Sequence, residues 1–135
     1  MEQMAHVLVV DDDEPIRESL RFLLEDAGHT VHESEDGVGA LVALRGAEAP
    51  YVVLLDLMMP NMSGSQLLQI IAQEPTLQTR HAYILLTANV RMMAPTIDGI
   101  PEDFANTLVL LHKPFENDLL LFVVDQVGQR LDARA

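Results

Sequence analysis

The run Tyr51-Val-Val-Leu-Leu-Asp56 limits the fold more than any other stretch, because its unbroken apolar character ends on a single carboxylate. A strand with no polar alternation is covered on both faces, and such strands belong to parallel sheets inside α/β domains. In open sheets of that class ligands bind beyond the carboxyl ends of the strands, so an acid in the last strand position points into the binding crevice.

The same grammar repeats along the chain. Val7–Val10 is a short apolar run that gives way to Asp11-Asp12-Asp13-Glu14-Pro15, a buried strand meeting a helix start with Asp13 as its cap. Ile16, Leu20, Leu23, Leu24 and Ala27 then recur at helical spacing until Gly28. Thr30–Glu33 reads as an edge strand, followed by a short helix carrying Val38, Leu41 and Leu44. After the Asp56 strand, Pro60–Gly64 loops into a helix with Leu67, Leu68, Ile71 and Ala72 that ends at Pro75. Ala82–Thr87 is a fourth strand ending on a hydroxyl, and Leu108–Leu111 is a fifth. Between them, Pro95, Gly99 and Pro101 predict a short or broken helix within 88–106. Lys113-Pro114-Phe115 turns into a last helix over Asn117–Leu131. Alternating strands and helices of this kind make a doubly wound α/β fold with a parallel sheet and helices on both faces.

A chain of 135 residues that is 49% hydrophobic fills one domain, here taken as residues 1–135, with no room for an output domain. With no cysteine, disulfides and thiolate chemistry are excluded. The start carries no basic-then-apolar leader and no apolar run approaches membrane-spanning length, so a cytoplasmic protein without membrane contact is expected. A net charge of −13 repels a phosphate backbone, which argues against direct nucleic-acid binding and for a divalent cation as charge partner.

If the first and third strands are neighbours, the crevice gathers Asp11, Asp12, Asp56, Thr87 and Lys113. Crowded carboxylates repel, raise one another's proton affinity and are relieved by a bound cation. Mg2+ fits best, since it takes a few carboxylates, keeps several waters and bridges to phosphate oxygens. Lys113 is the only lysine in the chain, and a compact ammonium suits a phosphate oxygen. The Thr87 hydroxyl can donate to a second oxygen, which leaves Asp56 as an attacking carboxylate able to form an aspartyl-phosphate.

Taken together these segments resemble the receiver domain of two-component response regulators across nearly the whole chain. Val9-Val10-Asp11-Asp12 resembles the family's acidic pair, Asp56 with Met59-Pro60 and Gly64 its phosphoacceptor segment, Leu86-Thr87-Ala88 its switch hydroxyl, and Lys113-Pro114-Phe115 its lysine turn. The resemblance implies a flavodoxin-like five-stranded sheet in the order 2-1-3-4-5 and Mg2+-dependent phosphorylation of Asp56 by a histidine kinase or histidine phosphotransfer protein. It also implies a phosphorylation-dependent surface change read by a downstream protein target. Asp12 and Asp56 would touch the metal directly, Asp11 through water, and Met58 through its backbone carbonyl, with a cis bond between Lys113 and Pro114. A member of this family is not an enzyme beyond assisting its own phosphorylation and dephosphorylation.

Departures from the family pattern bear on output. Leu110 stands three residues before Lys113, where the family commonly carries an aromatic switch residue, so no ring can swing there. Met58 and Asn89 occupy positions that resemble the family's tuning sites for acyl-phosphate hydrolysis. Leu119–Val124 is six apolar residues long and covers a whole helical circumference, which makes the last helix a candidate homodimer or partner face. The five histidines, His6, His29, His32, His81 and His112, lack a paired helical spacing and are expected at surface or turn positions. Two other readings are open. In a haloacid-dehalogenase-like phosphatase Asp11 would be the nucleophile and Asp13 the acid, and a pseudo-receiver would bind partners without phosphorylation.

Overall fold

The computed structural model describes residues 4–57, 64–88 and 98–134. Met58, Met59, Pro60, Met62, Asn89, Met92, Met93 and Pro95 therefore lie outside the described residues. Five strands, β1 (His6–Val10), β2 (Thr30–Ser34), β3 (Tyr51–Asp56), β4 (Ala82–Thr87) and β5 (Val109–His112), form one parallel sheet in the order β2-β1-β3-β4-β5. This is the doubly wound order expected, with β1 against β3.

The apolar runs do alternate, but between two cores. Leu8, Val10, Val53, Leu55 and Leu85 pack on one side of the sheet. Val7, Val9, Val52, Leu54 and Ile84 pack on the other. Both faces need apolar side chains, so a period of two is present in the structure and invisible in the letters. Leu20 and Leu24 of α1 (Glu14–Asp26) join the second core together with Leu120 and Val124 of the last helix. Leu41 and Leu44 of α2 (Gly37–Arg45) and Leu67, Leu68 and Ile71 of α3 (Gly64–Ile71) fill the first.

Helix starts follow their caps. The Asp13 carboxylate accepts from the Ile16 amide at 3.1 Å with Pro15 in the first turn, and Asp36 accepts from the Gly39 amide at 2.8 Å. Pro75 departs from its expected role. Helix α3 stops before it, yet Pro75 opens a further helix, α4 (Pro75–Arg80), because a fixed φ and a missing N–H cost nothing in a first turn. The Tyr83 hydroxyl donates to the Leu77 carbonyl at 2.8 Å and holds α4 to β4. Within 98–106 the chain is a turn at Gly99, whose φ is 81°, followed by the four-residue helix α5 (Glu102–Ala105). Strand β5 starts one residue later than expected, and the last helix, α6 (Asn117–Arg134), runs three residues further.

On α6 the apolar run does face both ways: Leu120 and Val124 are buried, whereas Leu119 and Phe122 are 47% and 62% exposed. The histidines lie at surface or connecting positions as expected, but burial divides them. His6, His32 and His112 are exposed, but His29 and His81 are buried, each accepting a backbone N–H at Nδ1, from Ala5 and Tyr51 respectively. Their role is to satisfy amides at the starts of β1 and β3, which no local spacing announces.

Candidate functional site

Parallel pairing of β1 with β3 sets Val10 beside Leu55, so the residues that follow, Asp11 and Asp56, emerge together at the carboxyl edge. The Asp11 amide continues the sheet by donating to Ser34 O at 3.1 Å, and its Oδ1 accepts from the Asp13 amide at 2.9 Å. Its carbonyl accepts from Arg17, at 2.7 Å. Asp56 closes β3 and is 8% exposed, and Thr87 closes β4 at 2%. Past β3 the Leu57 amide donates to Leu86 O at 3.2 Å, and the Gly64 amide donates to Leu57 O at 3.3 Å. A Cβ on Gly64 would stand 2.7 Å from the Asp56 carbonyl oxygen and the Leu57 Cα, so only glycine fits under the strand end.

Lys113 is delivered from β5 by its amide, which donates to Thr87 O at 2.7 Å, and by a turn in which Lys113–Pro114 is cis. Its Nζ reaches Asp56 Oδ2 at 3.6 Å and Asp11 Oδ2 at 4.0 Å. Carboxylate oxygens of Asp11, Asp12 and Asp56 lie within 4.8 Å of one another, Asp12 exposed and the other two buried. Asp11 Oδ2 is buried with no hydrogen-bond partner. Burial is the main reason that the Asp11 carboxyl is pushed up to about 6, with the charges of Asp56 and Asp12 adding and the Asp13 amide and Lys113 opposing. Crowding alone was expected to raise it, and desolvation does more. A hard, all-oxygen donor set with one orphaned buried oxygen and one member open to water fits Mg2+.

Residues 7–125 match the sequence profile of the response regulator receiver domain. The chain belongs to the response regulator receiver family. Among curated relatives, the transcriptional regulatory protein CseB of Streptomyces avermitilis is 34% identical over 96% of this chain and 52% of its own. The response regulator MprA of Mycobacterium ulcerans is 35% identical over 85% of this chain and 46% of its own. The receiver thus spans about half the length of these relatives. Among solved structures, a CheY-like receiver domain from Methanospirillum hungatei superposes with a TM-score of 0.77 at 26% identity, covering 95% of this chain and 97% of that one. Chemotaxis protein CheY4 of Vibrio cholerae gives 0.74 at 26% identity, over 93% and 99%.

This receiver therefore brings together Asp11, Asp12, Asp56 and Lys113 from three strand ends, with Thr87 on the fourth. Asp13 stands apart as the α1 cap. Leu110 pairs with Leu85 and is 38% exposed, two positions short of the Thr87 level and outside the acid cluster. Met58 lies outside the described residues. Two contributors escaped the sequence reading, namely the Arg17 contact to the Asp11 carbonyl and the close approach at Gly64. The first leaves no sequence signal, whereas the second was visible as a glycine ending the phosphoacceptor-like segment. No helix among the described residues is long and apolar enough to cross a membrane.

Proposed function

We infer that this receiver takes a phosphoryl group onto Asp56 from a histidine kinase or a histidine phosphotransfer protein, with Mg2+ held by Asp11, Asp12 and Asp56. The supporting observation is the Lys113 ammonium set between carboxylates of two different strands, 3.6 Å from Asp56 and 4.0 Å from an Asp11 oxygen that has no hydrogen bond. An Asp56 oxygen attacks the phosphorus of a phosphohistidine, forming an O–P bond as the P–N bond breaks, and the departing imidazole takes a proton from solvent. Lys113 then pairs with a phosphoryl oxygen in place of its present carboxylate partners, and the Thr87 hydroxyl donates to another. Bound Mg2+ would supply charge neutralisation for the carboxylates and the incoming group.

The dehalogenase-like alternative loses its acid, because Asp13 Oδ1 caps α1 through Ile16. A pseudo-receiver has no use for the Lys113 arrangement. Output without an aromatic at position 110 would run through exposed Leu110, Leu119 and Phe122, toward a downstream protein or a second copy. CseB is a transcriptional regulatory protein, and this chain covers 52% of its length. With a net charge of −13 this receiver would not itself hold DNA.

Incubation with acetyl phosphate and Mg2+ should give one phosphoryl adduct in the intact mass, mapped to Asp56, lost in Asp56→Asn and on chelation by EDTA. Asp11→Asn should slow the reaction without moving the site. No adduct from acetyl phosphate or from any histidine kinase would end this reading.

A further inference from the structure

The acid-bearing turn is gripped from behind by one side chain. Arg17, on the first turn and a half of α1, donates from Nη1 to the Asp11 carbonyl at 2.7 Å while its Nε faces Glu33 Oε1 at 3.4 Å. Glu33 in turn is held by Arg21 Nη1 at 2.8 Å and sits on β2 directly before Ser34, the residue whose carbonyl receives the Asp11 amide. The Arg17 side chain is only 14% exposed. Asp11 is thus fixed at its amide by β2, at its Oδ1 by the Asp13 amide, and at its carbonyl by a guanidinium that is itself anchored on β2.

We propose that Arg17, anchored by Glu33, is a positioning residue that sets the Asp11-Asp12 turn in the geometry needed to bind the divalent cation. The inference rests on the reading of Asp11, Asp12 and Asp56 as the Mg2+ site. Mg2+ demands near-ideal octahedral geometry, so a small displacement of two of its three carboxylates is felt directly in affinity. A planar guanidinium serves because it can hold the carbonyl and the carboxylate at once along fixed directions. Lysine can reach one or the other.

The sign of the effect separates positioning from simple charge. Removing a cation near an acidic site should, by Coulomb's law alone, strengthen Mg2+ binding. Loss of the clamp should weaken it.

The test measures Mg2+ affinity by calorimetry on the full chain, with Arg17→Met, Arg17→Lys, Glu33→Gln and Arg21→Met beside the wild type. Arg17→Met should bind Mg2+ about tenfold more weakly, the scale on which outer-shell partners act. Arg17→Lys and Glu33→Gln should fall between it and the wild type. Arg21→Met, which loses an equal charge and reaches the turn only through Glu33, should lose less than Arg17→Met. Phosphorylation by acetyl phosphate should be slowed in Arg17→Met at limiting Mg2+ and restored at saturating Mg2+. In metal-free protein the Asp13 amide should exchange its hydrogen faster in Arg17→Met, a readout independent of Mg2+. Wild-type affinity in Arg17→Met, or an equal loss in Arg21→Met, would overturn the clamp alone. A wild type that binds no Mg2+ would instead refute the metal reading, and with it the clamp's purpose, even if the amide result held.

Discussion

Gly64 shows how one atom can govern the position of Asp56. Its absent side chain leaves space for the backbone of Asp56 and Leu57, and a methyl group would meet both at 2.7 Å. Neither neighbour is the flexible end of a side chain, so the strand end itself must move. Gly64→Ala should cost about 1–3 kcal/mol in urea denaturation, as overpacking does, and should slow phosphorylation of Asp56 by more than it lowers stability would explain. An alanine variant with wild-type stability and rate would show that the turn has slack. At this scale the acids were readable, because each ends an apolar run and a strand end fixes where it points. Arg17 was not readable: its partner is a backbone carbonyl six positions back, and its anchor Glu33 belongs to another strand.

Elements were legible where their period or their caps were local. The five strands and helices α1, α2, α3 and α6 follow from apolar runs, from Asp13 and Asp36, and from glycines at or near the helix ends. Helix α4 was hidden because proline ends one helix and begins another with equal ease. At six residues it is too short to hold itself by propensity, and its Leu77 is tied to the sheet by the buried Tyr83 hydroxyl at 2.8 Å. Burial drives the Tyr83 phenol well above its usual range, so it stays a donor across the working pH range. Tyr83→Phe keeps the ring and its edge contact with Phe104 but leaves the Leu77 carbonyl unpaired. It should cost about 1–3 kcal/mol and speed amide exchange in α4 above all. Unchanged exchange over residues 75–80 would mean that α4 is held by packing of Leu77 alone.

The molecule as a whole has two poles, with the acid cluster beyond the carboxyl ends of the strands and the buried histidines at or near the amino ends. His81 is fully buried, accepts from the Tyr51 amide through Nδ1 at 2.9 Å, and has Nε2 3.1 Å from the Leu44 carbonyl, so it joins β3 to the end of α2. Both contacts need the neutral ring with its hydrogen on Nε2. Burial holds its proton affinity below the usual 6.5, with the Arg80 charge adding and the Leu44 carbonyl opposing. A depressed histidine costs nothing above the unfolded value, where both states are neutral. Below it the unfolded chain takes up the proton first, so stability is lost as pH falls from about 6.5 toward the lower folded value. Other groups move the opposite way. Acidification relieves the repulsion of a chain at −13, and protonates Asp11, whose raised proton affinity makes the fold more favourable at low pH. Raw stability curves therefore mix opposing slopes, and the comparison that isolates His81 is wild type against His81→Asn, whose amide oxygen can still accept from Tyr51. The difference in unfolding free energy should be flat above about pH 6.5 and shrink steadily below it, because only the wild type carries the imidazole penalty. A difference that stayed flat down to about pH 5 would mean that the folded ring accepts a proton as readily as the unfolded one, and that the two hydrogen bonds at the sheet's amino end do not fix its tautomer.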